Sequence, residues 1–405
     1  MSRNSIYSSI IAGLLLFVIQ QGYSQAKFDT LTNRLNHVFK QDSLPGMSVI
    51  LVNAGGIVYH QDFGFADRQN NIPYTSATIQ NVGSVSKTFI AVALMKAIEL
   101  KYFTLETDIN DILPFKVVNP NYPEGKITIR ELANHSSGII DNPAVYPNTY
   151  KFHPDLRPYD KDALDALQSI GYRQSMPDSS LAEFFYNYLS EKGKYYGPGN
   201  FGKGGPGSTS SYSNTRSALV AYLIEIKAGI PYADFVKKFI LSPLKMKSST
   251  FFIANTNLEK HARLYYKDNL AFPLYDLVTY PDGGLKTSPT DLAKYVSGLI
   301  KGYNGDELLL KNESYKQMFT AQFSKEHPPK DINLTYRNKG IFWNLYTNGT
   351  IGHDGDDPGI SAFVFFNPAT NMGGLFMCNR YLPDKKPIID LLVQATSDIK
   401  IKAER

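Results

Sequence analysis

Strand-like patterns occur at both ends of this chain, and mostly helical patterns lie between them. Residues 47–52 and 57–61 are short apolar runs separated by the turn-forming sequence Asn53-Ala54-Gly55-Gly56. Strand patterns return at residues 340–346, 360–367 and 373–379. We therefore expect an antiparallel sheet built from both chain ends, flanked by helices, with an inserted helical region. This is an α/β (α+β) fold.

The stretch Asn81–Ile90 combines a glycine with the start of a strongly apolar helix. Apolar residues recur at helical spacing as far as Ile98, so the helix is predicted to be buried. Ser84 and Lys87 are three residues apart and share one face of it. Burial and the positive end of the helix dipole both disfavour the charged form of the Lys87 amine. A neutral amine can take the serine's proton, which is the nucleophile–base pairing that acyl transfer needs.

The same serine–lysine spacing also occurs at Ser24, Ser242 and Ser397, so it is a weak signal when taken alone. An alternative interpretation makes Ser84 a helix N-cap and Lys87 a surface lysine. Of the four pairs, only the one at Ser84 opens a buried apolar helix behind a glycine.

Two further polar patterns could complete a site that hydrolyses an acyl bond. Such a site needs a proton donor for the leaving group and hydrogen-bond donors for the oxyanion. Tyr212 and Asn214 are candidates for proton transfer and substrate orientation; the alternative is a buried tyrosine followed by a capping asparagine. His353 and Gly355 precede a strand, whose edge could pair with a peptide-like substrate. The alternative there is a polar loop with a structural histidine.

In their order along the chain, these three motifs resemble those of the serine β-lactamase and penicillin-binding protein superfamily. The resemblance is closest to class C β-lactamase-related serine hydrolases of the D-alanyl-D-alanine carboxypeptidase and esterase type. Other segments similar to that family are Leu132–Gly138, Pro243–Met246, Asp282–Leu285 and Gly352–Gly355. The resemblance implies a β-lactamase/transpeptidase-like fold over nearly all of the chain after residue 24.

The resemblance also implies roles for individual residues. Ser84 would be the acylated nucleophile and Lys87 its general base. Tyr212 would share proton transfer and activate the deacylating water. The residues expected to contact substrate are Asn214, His353 and Gly355, and the oxyanion hole would consist of the backbone amides of Ser84 and Asp356.

One position departs from the β-lactamases of this branch, which carry Lys-Thr-Gly where this chain has His353-Asp354-Gly355. Their lysine gives the substrate carboxylate a fixed positive charge. Histidine is at most partly charged near neutral pH, and Asp354 and Asp356 add negative charge. The departure favours peptidase or esterase chemistry over efficient hydrolysis of β-lactams.

Composition excludes several other classes of function. The formal net charge is +5 over 405 residues, and no basic run or aromatic-basic pattern indicates nucleic-acid binding. The single cysteine, Cys378, allows no internal disulfide and no cysteine-based zinc site. The seven histidines lack metalloprotease spacing, so no metal or other cofactor is predicted.

The sequence thus predicts an exported serine hydrolase that forms a serine acyl-enzyme with amide or ester substrates. Its partner would be a small-molecule or peptide substrate: a D-amino-acid peptide, a cell-wall (peptidoglycan stem) peptide or a small ester. One alternative is a penicillin- or peptide-binding module of the same fold with little turnover, or a weak β-lactamase. Another is a structural envelope protein whose motifs are accidental, which the ordered set of motifs argues against.

The N-terminus has the order of a secretory signal peptide. Arg3 precedes an apolar run over residues 10–19, and Gly22-Tyr23-Ser24 forms a small-x-small cleavage site. The run is too short to span a membrane comfortably, although a retained anchor is the alternative. We expect residues 1–24 to be the signal peptide and 25–405 the catalytic domain, with no stable membrane span after cleavage. Within the catalytic domain, residues 25–80 and 340–405 would form the sheet subdomain, and residues 81–339 would form the helical region.

We predict that the native protein begins near Gln25 and is periplasmic or secreted, because the charged, apolar and small-residue segments follow the order that signal peptidase recognises. Mass spectrometry of the N-terminal peptide from native protein checks this. A chain that starts at Met1 or Ser2 would contradict it.

Overall fold

The computed structural model describes residues 28–172, 176–177, 180–267 and 270–403. The predicted signal peptide, residues 1–24, lies outside the described residues. Contacts between Cα atoms divide the chain into two compact units. One consists of the residues up to Ser43 together with those from Asp384 onward, and the other is Leu44–Pro383.

The strands are numbered in chain order. They are β1 (Gly46–Asn53), β2 (Gly56–Asp67), β3 (Ile72–Pro73), β4 (Gln80–Asn81), β5 (Tyr150–His153), β6 (Leu274–Leu277), β7 (Lys286–Thr287), β8 (Arg337–Lys339), β9 (Asn344–Tyr346), β10 (Ile351–Asp357), β11 (Ile360–Asn367) and β12 (Met372–Cys378).

The α-helices are numbered in the same way. They are α1 (28–41), α2 (Ser86–Glu99), α3 (Ile129–Ala133), α4 (Lys161–Ser169), α5 (Leu181–Leu189), α6 (Asn214–Ala228), α7 (Tyr232–Val236), α8 (Pro289–Tyr303), α9 (Asn312–Met318) and α10 (Lys386–Ala403). In the described part of the chain, no helix combines the length and the apolar character needed to cross a membrane.

The smaller unit contains α1 and α10. Leu31 and Leu35 are buried on one face of α1, as its helical spacing predicts. In α10, Ile388 and Leu392 are likewise buried at a spacing of four residues. Arg34 Nη1 donates a hydrogen bond to Gln394 Oε1 at 3.3 Å, which joins the two helices.

The larger unit contains an eight-stranded antiparallel sheet in the order β3-β2-β1-β12-β11-β10-β9-β8. Strand β1 from the N-terminal part pairs with β12 from the C-terminal part, so that Met47 lies opposite Cys378. The predicted fold class, with a sheet built from both chain ends, is therefore confirmed. Helix α8 packs against β1 and β12. It begins with Ser288 as N-cap and Pro289 at its first position.

Two parts of the sheet differ from the sequence prediction. Residues 340–346, predicted as one strand, form a turn and β9, because Phe342 has φ +56° and breaks the extended chain. Residues 352–355, expected to precede a strand, lie within β10 itself. Glycine and aspartate are poor strand formers, but β10 pairs with β11 from Ile351 to Asp357, and this pairing overrides local preference.

Helix α2 is buried on all sides, as its sequence predicts. Every residue from Ser86 to Met95 is buried, and the helix contacts α6, α7 and α9. A three-residue 3₁₀ turn, Gly83–Val85, leads into it. An apolar helix enclosed in this way fixes the position of any side chain in its first turn, because its neighbours leave it no room to move.

The long segment 141–211 contains helices α4 and α5 and strand β5. Helix α5 begins after the N-cap Ser180. Helix α4 was missed, because its apolar residues are few and only Ala163 and Leu167 are buried. Strand β5 was also missed; it pairs with β6, and Tyr150 lies opposite Leu277.

Two glycines allow β10 to lie directly against the turn that carries Ser84. A Cβ atom at Gly355 would be 2.0 Å from the Val82 carbonyl oxygen. Gly83 has φ +52°, and a Cβ there would be 2.9 Å from the Asp356 backbone nitrogen. The absence of a side chain at Gly355 therefore lets β10 approach the backbone of the Ser84 turn.

We predict that Gly355→Ala destabilises the protein by about 1–3 kcal/mol, the usual cost of forcing an extra carbon into a filled space. The midpoint of thermal unfolding should fall. Gly197→Ala is the matched control, because Gly197 has φ 179° and nothing lies within 4 Å of its added Cβ. Equal midpoints for the two variants would show that β10 does not press on the Ser84 turn.

Candidate active site

Ser84 lies in the 3₁₀ turn at the start of α2 and contacts two other predicted catalytic groups. Its Oγ is 3.0 Å from Lys87 Nζ, and Tyr212 donates a hydrogen bond to it at 2.5 Å. The structure thus brings together the serine, the amine and the phenol that the sequence placed in one site. The N-cap interpretation of Ser84 does not hold, because Val85 is the N-cap of α2 and no side-chain bond caps the helix.

The Lys87 amine is fully buried, which excludes its interpretation as a surface lysine. Nζ is 2.7 Å from Asn214 Oδ1 and 2.5 Å from the backbone oxygen of Asp282. Burial lowers the pKa of Lys87, because an ammonium loses its hydration there. The carboxylates of Asp282 and Asp141 act in the opposite direction and limit that fall.

Tyr212 precedes α6, and its ring is 46% exposed while its hydroxyl points at Ser84. Loss of hydration raises the pKa of Tyr212 well above 10. The hydrogen bond to Ser84 lowers this pKa, but its effect is smaller. The carboxylate of Asp354 adds to the rise. Tyr212 is therefore a neutral phenol at physiological pH.

Asp141 is a functional residue that the sequence reasoning missed. Its Oδ1 accepts hydrogen bonds from Ser213 Oγ and the Thr215 backbone N–H, and its Oδ2 accepts one from the Asn214 N–H, each at 2.8 Å. These bonds fix the first turn of α6 and hence the side chain of Asn214. No local pattern predicts a helix start held by a carboxylate so distant in sequence.

The segment Leu132–Gly138, noted for its similarity to the family, supports Tyr212. The His135 ring lies against the Tyr212 ring with centroids 4.8 Å apart. The His135 carbonyl also accepts a hydrogen bond of 3.0 Å from the Ser211 N–H. His135 has φ +65°, which turns the chain sharply enough to make both contacts.

The predicted His353 motif lies on β10, along the side of the site. His353 is 5% exposed, and its Nδ1 is 2.6 Å from the Asp354 carbonyl oxygen. Burial lowers the pKa of His353 to about 4. The sequence limited this histidine to at most partial charge near neutral pH, and loss of hydration leaves the ring neutral there. Asp356 follows Gly355 and places its backbone nitrogen beside Gly83, next to Ser84.

Two carboxyl groups lie near the amine: Asp282 is fully buried and Asp357 is half-buried. Asp282 Oδ1 accepts a hydrogen bond of 3.1 Å from the Tyr146 hydroxyl, and Asp357 accepts one from Tyr150. Burial raises the pKa of each carboxyl to about 7. Both tyrosines belong to segment 141–211, so this segment contributes directly to the wall of the site.

These groups line a cleft of about 350 Å³, which is large enough for a small ligand. Two cations that the sequence reasoning missed, Arg337 and Lys339, also line it. They come from β8, and no sequence motif connects that short strand to the Ser84 turn. The complete lining is Ser84, Tyr146, Tyr150, Tyr212, Asn214, Asp282, Gly283, Arg337, Lys339, Asn344, His353, Asp354, Asp356 and Asp357.

The acidic residues of the cleft do not resemble a metal centre. Among the residues that the structure describes, no three His, Cys, Asp or Glu side chains are arranged to hold a metal ion. What the cleft can do follows from its own polar atoms: a serine hydroxyl in contact with a buried amine and a neutral phenol can attack a carbonyl carbon.

Solved structures with this architecture have the same overall fold. The octameric penicillin-binding protein homologue from Pyrococcus abyssi superposes with a TM-score of 0.72 at 24% identity, over 92% of this chain and 77% of that one. A class C beta-lactamase superposes with a TM-score of 0.68 at 19% identity, over 92% of this chain and 96% of that one. These similarities confirm the β-lactamase/transpeptidase-like fold.

Sequence relatives agree with the structural neighbours. Penicillin-binding protein 4* of Bacillus subtilis (strain 168) is 23% identical over 330 residues, which are 78% of this chain and 64% of that protein. A beta-lactamase of Providencia stuartii is 24% identical over 261 residues, which are 64% of this chain and 56% of that protein. The chain thus spans less than two thirds of the length of these curated relatives.

The model of the family described as Beta-lactamase matches residues 28–396, which is most of the chain. Together with the penicillin-binding protein and beta-lactamase relatives, this match supports a serine hydrolase-type function. The chain belongs to the beta-lactamase family.

Proposed function

We propose that the protein is an exported serine hydrolase that cleaves amide or ester bonds through an acyl-enzyme on Ser84. The observation that carries the proposal is the pair of short contacts at Ser84 Oγ, one to the buried Lys87 amine and one to the Tyr212 hydroxyl. Substrates are D-amino-acid peptides, peptidoglycan stem peptides or small esters. The cleft volume of about 350 Å³ suits ligands of that size.

In the proposed mechanism Lys87 acts as a neutral amine. Its two N–H groups donate to Asn214 Oδ1 and to the Asp282 carbonyl oxygen, at 2.7 and 2.5 Å. The nitrogen lone pair then remains for the hydroxyl proton of Ser84, 3.0 Å away. In acylation the lone pair takes this proton while Ser84 Oγ forms a bond to the carbonyl carbon.

Tyr212 supplies the proton that the leaving group needs. Its raised pKa keeps the phenol neutral, so it donates its proton as the bond to the leaving nitrogen or oxygen breaks. The ammonium of Lys87 then returns a proton to the Tyr212 oxygen, since both groups lie at Ser84 Oγ. In deacylation a water molecule takes the place of the leaving group, and neutral Lys87 accepts its proton as the water oxygen bonds to the carbonyl carbon. The proton then passes to Ser84 Oγ as the ester bond breaks.

The developing oxyanion is stabilised by the backbone amides of Ser84 and Asp356. The support for this role is the packing of β10 against the Ser84 turn, which places the Asp356 nitrogen beside Gly83. Donors fixed by backbone packing need no rearrangement when the negative charge forms, and this is the reason such groups accelerate acyl transfer. His353 and Asn214 contact the substrate on either side of Ser84.

We predict that Ser84→Ala abolishes ester turnover and covalent labelling by fluorophosphonate or fluorescent penicillin. Loss of the nucleophile costs about 10⁶-fold in kcat in a comparable serine enzyme. Ser242→Ala is the matched control, because Ser242 has the same spacing to a lysine but is exposed and does not line the cleft. Labelling that survives in Ser84→Ala would refute the assignment. Labelling of wild type without turnover would identify a binding module instead.

We predict that kcat/KM for a neutral ester falls on the acid side of its pH profile, because Lys87 acts as a base only when neutral. The raised pKa of Tyr212 predicts no matching loss up to pH 9. Asp282→Asn should move the acid limb to lower pH, since the Asp282 carboxylate raises the pKa of Lys87. An acid limb that stays in place or moves to higher pH would argue against Lys87 as the base.

A further inference from the structure

A second, larger pocket adjoins the cleft that contains Ser84. Its volume is about 600 Å³, against about 350 Å³ for the cleft. The residues that line both spaces are Tyr146, Tyr150, Asn214, Asp356 and Asp357. A ligand bound at Ser84 can therefore extend from the cleft into the larger pocket.

Aromatic rings dominate the apolar part of this second pocket. Seven of its lining residues are aromatic, and we call it the aromatic pocket after them. They are Tyr146, Tyr150, Tyr172, Tyr265, Tyr266, Phe272 and Tyr381. Large, rigid rings bury much area at little entropic cost and suit an apolar ligand, above all one that carries a ring itself.

Tyr150 anchors the wall between the cleft and the aromatic pocket. Its side chain is 3% exposed and packs edge-on against the Tyr172 ring, with centroids 4.7 Å apart. Its hydroxyl donates a hydrogen bond to Asp357, and the Tyr146 hydroxyl donates one to Asp282 Oδ1 at 3.1 Å. Because both hydroxyls are already bonded, these two tyrosines offer a ligand mainly the apolar surface of their rings.

Two apolar side chains of the aromatic pocket are well exposed. Ile170 is 70% exposed and Tyr381 is 51% exposed. A single exposed apolar residue is common on a protein surface and needs no explanation. These two, however, line the same pocket as a cluster of rings, and apolar surface gathered in this way marks a ligand site.

The charged side chains of the aromatic pocket balance in number. Asp356 and Asp357 line it where it meets the cleft, and Lys267 and Arg380 also line it. The Lys267 ammonium lies 5.7 Å from the centre of the Tyr266 ring, within the range of a cation–π contact. With two acidic and two basic side chains, the lining selects neither an anion nor a cation. An uncharged apolar group is the ligand that suits it.

The aromatic pocket is placed to receive the acyl part of a substrate. Tyr212, which protonates the leaving group in the proposed mechanism, lines the cleft but not this pocket. The acyl chain leaves the same carbonyl carbon in a different direction. The path to the pocket is short, because a Cβ atom at Gly283 would be 3.9 Å from the Gly83 carbonyl carbon and 3.4 Å from Asp357 Oδ2. Asp357 lines the pocket, so an acyl chain reaches it from the Ser84 turn by passing Gly283.

We propose that the aromatic pocket binds the acyl part of the substrate, and that this part is an uncharged chain bearing an aromatic ring, such as a phenylalkanoyl group. This inference rests on the proposed serine hydrolase function and specifies its substrate class. A ring among rings gains edge-to-face and stacking contacts in addition to the burial of its area. Acetyl and other short acyl groups stay within the cleft and gain nothing from the pocket.

The test compares two p-nitrophenyl esters that differ only in the acyl part, the acetate and the 3-phenylpropanoate. Each kcat/KM is divided by the rate constant for hydroxide hydrolysis of the same ester, so that intrinsic reactivity cancels. We expect the corrected ratio in wild type to favour the 3-phenylpropanoate by about 10- to 100-fold, the usual gain from burying a side chain of that size. A corrected ratio near one would overturn the proposal.

The double variant Ile170→Ser, Tyr381→Ser removes apolar surface from the pocket at two exposed positions, where substitution should not disturb folding. It should lower the corrected ratio by about tenfold. Hydrolysis of the acetate should change by less than about twofold. The matched control is Ile57→Ser, Tyr122→Ser, which changes the same residue types at 48% and 50% exposure, outside both the cleft and the aromatic pocket.

The outcomes separate this inference from the proposed function. If the double variant keeps the wild-type ratio, the aromatic pocket does not bind the acyl group, while Ser84-dependent hydrolysis of the acetate still supports the proposed function. If the control variant loses the ratio to the same extent, the effect is not specific to the pocket and the assignment falls. If neither ester is hydrolysed in a Ser84-dependent way, the proposed function fails and this inference fails with it.

Inhibition gives a second readout that a merely structural role would not affect. 3-Phenylpropanamide carries the same uncharged ring and chain, and we expect it to inhibit hydrolysis of p-nitrophenyl acetate competitively and far more strongly than acetamide does. In the Ile170→Ser, Tyr381→Ser variant its inhibition constant should rise by about tenfold, while KM for the acetate stays unchanged. Inhibition that is not competitive would mean that the ring binds away from the cleft, and it would overturn the proposal.

Discussion

The buried amine of Lys87 is the constraint on which the rest of the site depends. A fully buried ammonium is costly, and helix α2 gives it no contact with water because that helix is apolar all round. The neutral form is favoured as a result, while the carboxylates of Asp282 and Asp141 limit how far the pKa falls. The two effects oppose each other, and a base that works near neutral pH needs such a balance.

Several distant segments hold the groups around this amine in place. Asp141 fixes the start of α6 and with it Asn214, while His135 supports the ring of Tyr212. The glycines at 83 and 355 let the sheet approach the Ser84 turn without side chains between them. None of these supporting contacts is made by Ser84 or Lys87 themselves, yet each fixes a group that lies beside them. Precision in the site thus comes from packing outside the cleft.

Sequence reasoning predicted the parts of this structure that have local periodicity or an ordered motif. The strands at both chain ends, the buried α2 and the Ser84–Lys87–Tyr212 contacts are of this kind. It missed features that exist only through long-range contacts. Strand β10 is polar and is held by pairing with β11, and Asp141 acts on a helix far along the chain. Residue type limited His353 to at most partial charge, and burial, which the sequence does not specify, leaves the ring neutral.

The pairing of β1 with β12 has a consequence for how the protein folds. Contacts that join the two ends of a chain are slow to form, because the loop between them must first be closed at an entropic cost. Ser84 and Lys87 belong to the first part of the chain, whereas β10 belongs to the last. During synthesis Ser84 and Lys87 therefore exist before β10, the strand that lies against their turn. The cleft is not complete until the final strands close the sheet.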